Sequence, residues 1–156
     1  MAQLFSQHIK TPCIGVCSTG LGDNVCRGCK RFVHEVVQWN GLSEQQRESI
    51  DQRLTRFLTQ IVESKLQIVD LSRLQRQLEI QQIPYPAHKS PYIWAYELLR
   101  AGASQIACVE DFGLAVDAAY VEMPLLHLRR VIDEEFYLLS DAHYERYFLG
   151  AVACDI

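Results

Sequence analysis

The chain has 156 residues, 49% of them hydrophobic, enough for one domain of ordinary size or for a small stapled module beside a second layer of structure. Fifteen Lys and Arg against nineteen Asp and Glu give a net charge of −4, which argues against a protein whose main task is to coat nucleic acid or an anionic membrane. The charge is uneven: residues 1–83 carry ten basic and eight acidic side chains (+2), residues 84–156 five and eleven (−6).

The start, MAQLFSQHIK, has neither the basic residues nor the apolar run of a secretory signal, and no stretch approaches the roughly 18–20 apolar residues that span a bilayer. The expectation is a cytoplasmic protein. In a reducing compartment, clustered cysteines are more often metal ligands or redox centres than structural disulfides.

In chain order, residues 1–12 are short and polar and end in Thr11-Pro12, which presents Cys13 from an extended loop. Ser18 to Val25 is turn chemistry, with two glycines and an Asp-Asn pair. From Lys30, the residues Phe32, Val33, Val36, Val37 and Asn40 recur at helical spacing and predict a short amphipathic helix that Gly41 can stop. Ser43 with Gln46 is a capping box opening a second helix, whose apolar stripe is Ile50, Leu54, Phe57, Leu58, Ile61 and Val62. A third helix is expected over about 70–83, with Leu71, Leu74, Leu78 and Gln81 on one face.

Pro84, Pro86 and Pro91 then break the pattern where the charge reverses, and mark a linker between an N-terminal module (1–83) and an acidic C-terminal one (84–156). Tyr92 to Arg100 reads as a helix closed by Gly102. Gln105–Val109 and Leu114–Val121 have the composition of strands, whereas Leu125, Leu128, Ile132, Phe136 and Leu139 keep helical spacing after Pro124. The fold class expected is α+β, mainly helical: a four-cysteine loop and helices, followed by a mixed helix and strand module.

The strongest signal is chemical. Cys13, Cys17, Cys26 and Cys29 follow C-x3-C-x8-C-x2-C, four of the six cysteines in the chain. Two close pairs separated by a glycine-rich loop suit a tetrahedral thiolate site, because each pair can grip from one side. An iron–sulfur cluster needs the same four thiolates. Disulfides, or a dithiol redox centre at Cys26-Arg-Gly-Cys29, are alternatives, but the second leaves Cys13 and Cys17 unexplained. Four thiolates around Zn²⁺ carry a net −2, which Arg27, Lys30 and Arg31 are placed to offset.

The run Pro12-Cys-Ile-Gly-Val-Cys17, then Cys26-Arg-Gly-Cys29, the basic residue after it, Glu35, Trp39 and the Leu-Ser-Glu start of a helix together resemble the domain-of-unknown-function family 1289 over about residues 11–58. Its members are small bacterial proteins usually labelled predicted iron–sulfur proteins. The resemblance implies that Cys13, Cys17, Cys26 and Cys29 are the ligands, with Trp39 packing beside them. It implies no reaction. Iron–sulfur is favoured by that label and by the three-residue spacing of the first pair. Zinc is favoured by closed four-cysteine coordination and by a glycine-rich loop that needs a staple.

Elsewhere the signals are plain. His34, five residues after Cys29, reads as an exposed helix histidine, with a hydrogen bond to sulfur as its functional alternative; His8, His88, His127 and His143 are scattered. Cys108 and Cys154 sit among apolar neighbours and read as buried small hydrophobes. Glu110, Asp111 and Asp133-Glu134-Glu135 read as solvated acids, and Tyr137, Tyr144, Tyr147 and Phe148 as packing aromatics. No nucleotide-binding or serine-hydrolase motif is present. The expected function is that of a metal-binding protein, iron–sulfur first and zinc as the alternative, in an electron-transfer, sensing or accessory role or as an interaction module. Its partner is an unidentified protein, with neither membrane nor nucleic acid. An enzyme would need Glu110, Asp111 or Glu135 to converge with the metal.

Overall fold

A computed structural model describes residues 9–149. The chain is mainly helical with one small antiparallel sheet, the α+β class expected. It divides into two compact units: the described parts of Met1–Leu54 and Tyr137–Ile156 form one, Thr55–Phe136 the other.

The first unit begins with an irregular segment that holds a 3-10 turn at Thr19–Leu21 and an isolated antiparallel bridge between Val25 and Phe32. Helix α1 (Val33–Gln38) and a 3-10 turn at Trp39–Gly41 follow. Helix α2 (Glu44–Glu63) starts where the capping box requires: Gln46 N–H donates to Ser43 Oγ (3.1 Å) and Ser43 N–H to Gln46 Oε1 (2.9 Å). The core of this unit is Val25, Phe32, Trp39, Ile50 and Leu54.

Helix α1 buries a face that apolar spacing does not reveal. Val37 is 76% exposed, while Glu35 is buried. The Glu35 carboxylate accepts from the Phe32 N–H (2.8 Å) and takes both terminal nitrogens of Arg53 at 2.7 and 2.6 Å. The Arg53 guanidinium in turn lies 4.0 Å over the Phe32 ring. Burying a charge is tolerable when it is paired and bidentate in this way.

The aromatic end of helix α5, whose full range is Leu125–Tyr144, also packs here: Tyr144 meets the Phe32 ring edge-on at 5.3 Å. Phe148, in the π-helical turn Glu145–Leu149 that follows, does so at 5.6 Å. These residues are packing aromatics, as expected.

The second unit contains the remainder of α2, strand β1 (Leu66–Ile68), α3 (Leu71–Ile80), α4 (Pro91–Gly102), strand β2 (Leu114–Val116) and most of α5. Strands β1 and β2 pair antiparallel, with Leu66 opposite Val116 and Ile68 opposite Leu114. Val62, Leu66, Leu74, Leu78, Leu98, Leu99, Leu114, Leu128 and Ile132 are almost fully buried, each contributing about 2 kcal/mol of transfer free energy. Asp70 caps α3 through the Arg73 N–H (3.0 Å), and the helix ends at Ile80, because Gln82 turns to φ 56°. Leu74 and Leu78 are buried as expected, but Leu71 and Gln81 are exposed.

Residues 84–90 join α3 to α4 within this unit, with Trp94 Nε1 donating to the Pro86 carbonyl (2.8 Å) and the Tyr85 ring 4.9 Å from Trp94. Ser90 caps α4 and Pro91 occupies its first turn. The strand expected over Gln105–Val109 is absent. That stretch is a loop entering a 3-10 turn at Val109–Phe112, and the second expected strand shrinks to three residues. The sheet ends at Gly113, in the left-handed region at φ 72°, whose carbonyl accepts from both Val69 and Asp70 N–H. A Cβ at Gly113 would stand 2.3 Å from the Asp70 carbonyl oxygen, so this crossing admits only glycine. Lys65 is buried and ion-paired to Glu135, with Tyr120 beside its ammonium at 5.0 Å. Glu135 therefore is not a freely solvated acid.

Candidate metal centre

The four cysteines fall into two unlike pairs. Cys26 and Cys29 are buried on a tight turn, closed by hydrogen bonds from Lys30 N–H to the Cys26 carbonyl (2.8 Å) and from Cys26 N–H to the Arg31 carbonyl (2.9 Å). The turn forces Lys30 to φ 65°, uncommon for a side chain of its size. Its ammonium curls back to donate to the carbonyls of Arg27 (2.6 Å) and Gly28 (3.1 Å), putting a positive charge at the back of the turn.

The Cys26 thiol donates to the Val16 carbonyl at 3.5 Å. Burial pushes this thiol up, but the polar backbone around it at Ser18, Gly28 and Cys29 outweighs burial and brings the group down to about 7. At Cys29 burial wins: its thiol is raised, although Arg31 Nε donates to its sulfur at 3.2 Å. Arg31 is itself buried, its guanidinium 4.8 Å from the Trp39 ring, so Trp39 packs against the residue that holds Cys29.

Cys13 and Cys17 are exposed. Cys13 Sγ accepts from the Gly15 N–H (3.4 Å), and Cys17 Sγ lies 3.0 Å from Thr19 Oγ1. Their backbone, however, is already docked on the second pair. The Val16 carbonyl is 3.5 Å from Cys26 Sγ, and a Cβ on Gly28 would come within 2.2 Å of that same oxygen. Ser18 completes the join: it is buried, and its Oγ accepts from the Arg27 N–H (2.8 Å).

Among the described residues no three His, Cys, Asp or Glu side chains are gathered closely enough to hold a metal ion. The donor set nevertheless fits one. Buried sulfurs, cations beside the turn and a glycine-shaped seat for the opposite loop are what a thiolate site requires.

In the sequence Ser18 is no more than a turn residue, although a serine directly after a cysteine of the first pair can anchor such a loop. Of the three cations expected to offset the cysteines, Lys30 and Arg31 face the turn, while Arg27 is directed to Asp23 (3.6 Å) and lies 4.2 Å over the Tyr137 ring. His34 is exposed and meets the Phe32 and Phe148 rings at 5.9 and 5.0 Å; its neighbours are aromatic.

Cys108 departs from expectation. It is exposed, because its segment is a loop and not a strand, and its thiol donates to Glu110 Oε2 at 2.8 Å. That bond raises the Cys108 thiol and lowers the Glu110 carboxyl. Cys154 and His8 lie outside the described residues.

Among the described residues no helix is long and apolar enough to cross a membrane. No curated protein and no solved structure matches the chain. Residues 11–57, less than half of the chain but inclusive of all four clustered cysteines, Glu35, Trp39 and Arg53, match the family described as protein of unknown function (DUF1289).

Proposed function

We propose that Cys13, Cys17, Cys26 and Cys29 bind one inorganic centre, an iron–sulfur cluster, and that the protein serves in electron transfer or in a sensing or accessory role toward a protein partner in the cytoplasm. The observation that carries this reading is the seating of the Cys13–Cys17 loop backbone on the buried Cys26–Cys29 turn, where the Val16 carbonyl lies 3.5 Å from Cys26 Sγ and against Gly28. A cationic donor favours thiolate over thiol and sets the electron density of a ligated sulfur. Arg31 supplies one to Cys29, its Nε 3.2 Å from the sulfur. A bound cluster would supply one-electron chemistry, and the exposed Cys13 and Cys17 would form its solvent side.

A specific feature favours zinc as the second reading. Between Ile9 and Phe32 the first unit has one 3-10 turn and one isolated bridge, a segment that a closed four-thiolate zinc would staple into an interaction module.

Anaerobic purification with elemental analysis and a visible spectrum separates the two. Iron with acid-labile sulfide, and absorption that bleaches on dithionite, is the expected result. A colourless protein with one zinc per chain transfers the assignment to zinc, and a metal-free, colourless protein that takes up neither rejects both.

A further inference from the structure

The two cysteine pairs differ in readiness. Cys26 and Cys29 are buried on one turn closed by the Lys30 N–H to Cys26 carbonyl and Cys26 N–H to Arg31 carbonyl bonds, with Cys26 Sγ donating to the Val16 carbonyl and Cys29 Sγ held by Arg31 Nε. The sulfurs of Cys13 and Cys17 face solvent and are satisfied within their own loop, by Gly15 N–H and Thr19 Oγ1. The loop backbone is already seated against the turn through the Val16 carbonyl, so the first pair is held near the second without being assembled with it.

We propose that the four cysteines engage a thiophilic divalent cation in a fixed order: Cys26 and Cys29 form a pre-built seat that captures the ion, and Cys13 and Cys17 then exchange their loop hydrogen bonds for the metal and complete its coordination. The inference rests on the four-cysteine reading above. A pair already fixed in position loses little conformational entropy on binding. The exposed pair must order its side chains and break two local contacts, a cost met only once an ion is in place. At each stage an S–metal bond replaces an S–H bond and the proton leaves to solvent, with no change of oxidation state.

Cobalt(II) added anaerobically to the reduced, metal-free full chain tests the order, since thiolate-to-cobalt charge-transfer absorption counts the sulfurs bound. Expected are two kinetic phases in the unaltered protein. The Cys13→Ser/Cys17→Ser double variant should keep the fast phase at its original rate, lose the slow one, and bind one cobalt per chain. The Cys26→Ser/Cys29→Ser double variant should bind at least about tenfold more weakly than that.

Loss of the fast phase in Cys13→Ser/Cys17→Ser overturns the order. This arm stands even if the other variant does not fold, because the substituted side chains are exposed. Equal weakening in two folded double variants also overturns it, while full thiolate absorption in the unaltered protein keeps the four-cysteine reading. Absence of thiolate absorption from the unaltered protein overturns both.

Discussion

The carbonyl oxygen of Val16 rests against Gly28 so closely that a β-carbon there would be 2.2 Å away, with Ile14 Cγ1 at 3.3 Å. Backbone meets backbone at this contact, and no flexible side chain can move aside. The segment carrying Cys13 and Cys17 is thereby registered on the turn carrying Cys26 and Cys29. Gly28→Ala should push the two segments apart and destabilise the first unit by about 1–3 kcal/mol, with weaker metal uptake. Urea denaturation of the metal-free protein, read beside cobalt uptake, checks this; a variant as stable and as metal-competent as the original contradicts it.

Arg31 links Trp39 to Cys29, its Nε 3.2 Å from the sulfur and its guanidinium 4.8 Å from the indole. Replacing it with Met removes the donor and the charge but retains much of the bulk. Transfer of bound metal to a chelator should become about 10–100-fold faster, the range found when a ligand loses a supporting hydrogen bond. Arg31→Lys should fall between the two, since an ammonium keeps the charge without the planar stack. Equal transfer rates in all three proteins would remove Arg31 from the site.

Glu35 and Arg53 form a bidentate pair with side-chain exposures of 8% and 13%. Removing one partner strands the other, so Arg53→Met or Glu35→Leu alone should cost about 3–5 kcal/mol. The double substitution should cost less than either single change, because no uncompensated charge remains. Chemical denaturation of the four proteins closes the cycle, and simple additivity would mean the pair is not coupled.

Much of the fold was legible in the sequence, and the failures have physical causes. The capping box at Ser43 and Gln46 located α2, because that signal depends on hydrogen bonds made within a few residues, and the helix read over Tyr92–Arg100 is α4, which starts one residue earlier at Pro91. Strand β1 gave no comparable signal. It has three residues between α2 and α3, and its existence depends on pairing with Leu114–Val116 almost fifty residues away. Gln105–Cys108 has strand-like composition but no partner strand, and Cys108 is exposed for that reason.

The apolar stripe of α1 misleads because that helix buries Glu35, satisfied by Arg53 eighteen residues on, a compensation that periodicity cannot display. At the candidate site, residue type and spacing singled out the four cysteines, and the family resemblance added Trp39. The inequality of the two pairs was hidden, since it depends on which pair the fold buries and on where Arg31 and the Val16 carbonyl point.

In the second unit, burial, followed by the charge of Asp133, pushes the Tyr96 phenol up to about 12 from its ordinary value of 10. The folded state thus favours the neutral phenol. This contribution is complete below about pH 10 and is lost as pH rises through the folded value, up to about 3 kcal/mol for a two-unit shift. Stability measured by urea between pH 9 and 12 should therefore fall more steeply in the original protein than in Tyr96→Phe. Parallel curves would show that Tyr96 titrates alike in the folded and unfolded chain.

The central claim is that the cysteine sulfurs of the first unit bind one inorganic centre, and metal content per chain in anaerobically purified single variants tests it most directly. Cys26→Ser and Cys29→Ser should each lose most of the bound metal, while Cys108→Ala, whose thiol pairs with Glu110 in the other unit, keeps it in full. Undiminished metal in Cys26→Ser or Cys29→Ser, or its loss from Cys108→Ala, would contradict the assignment.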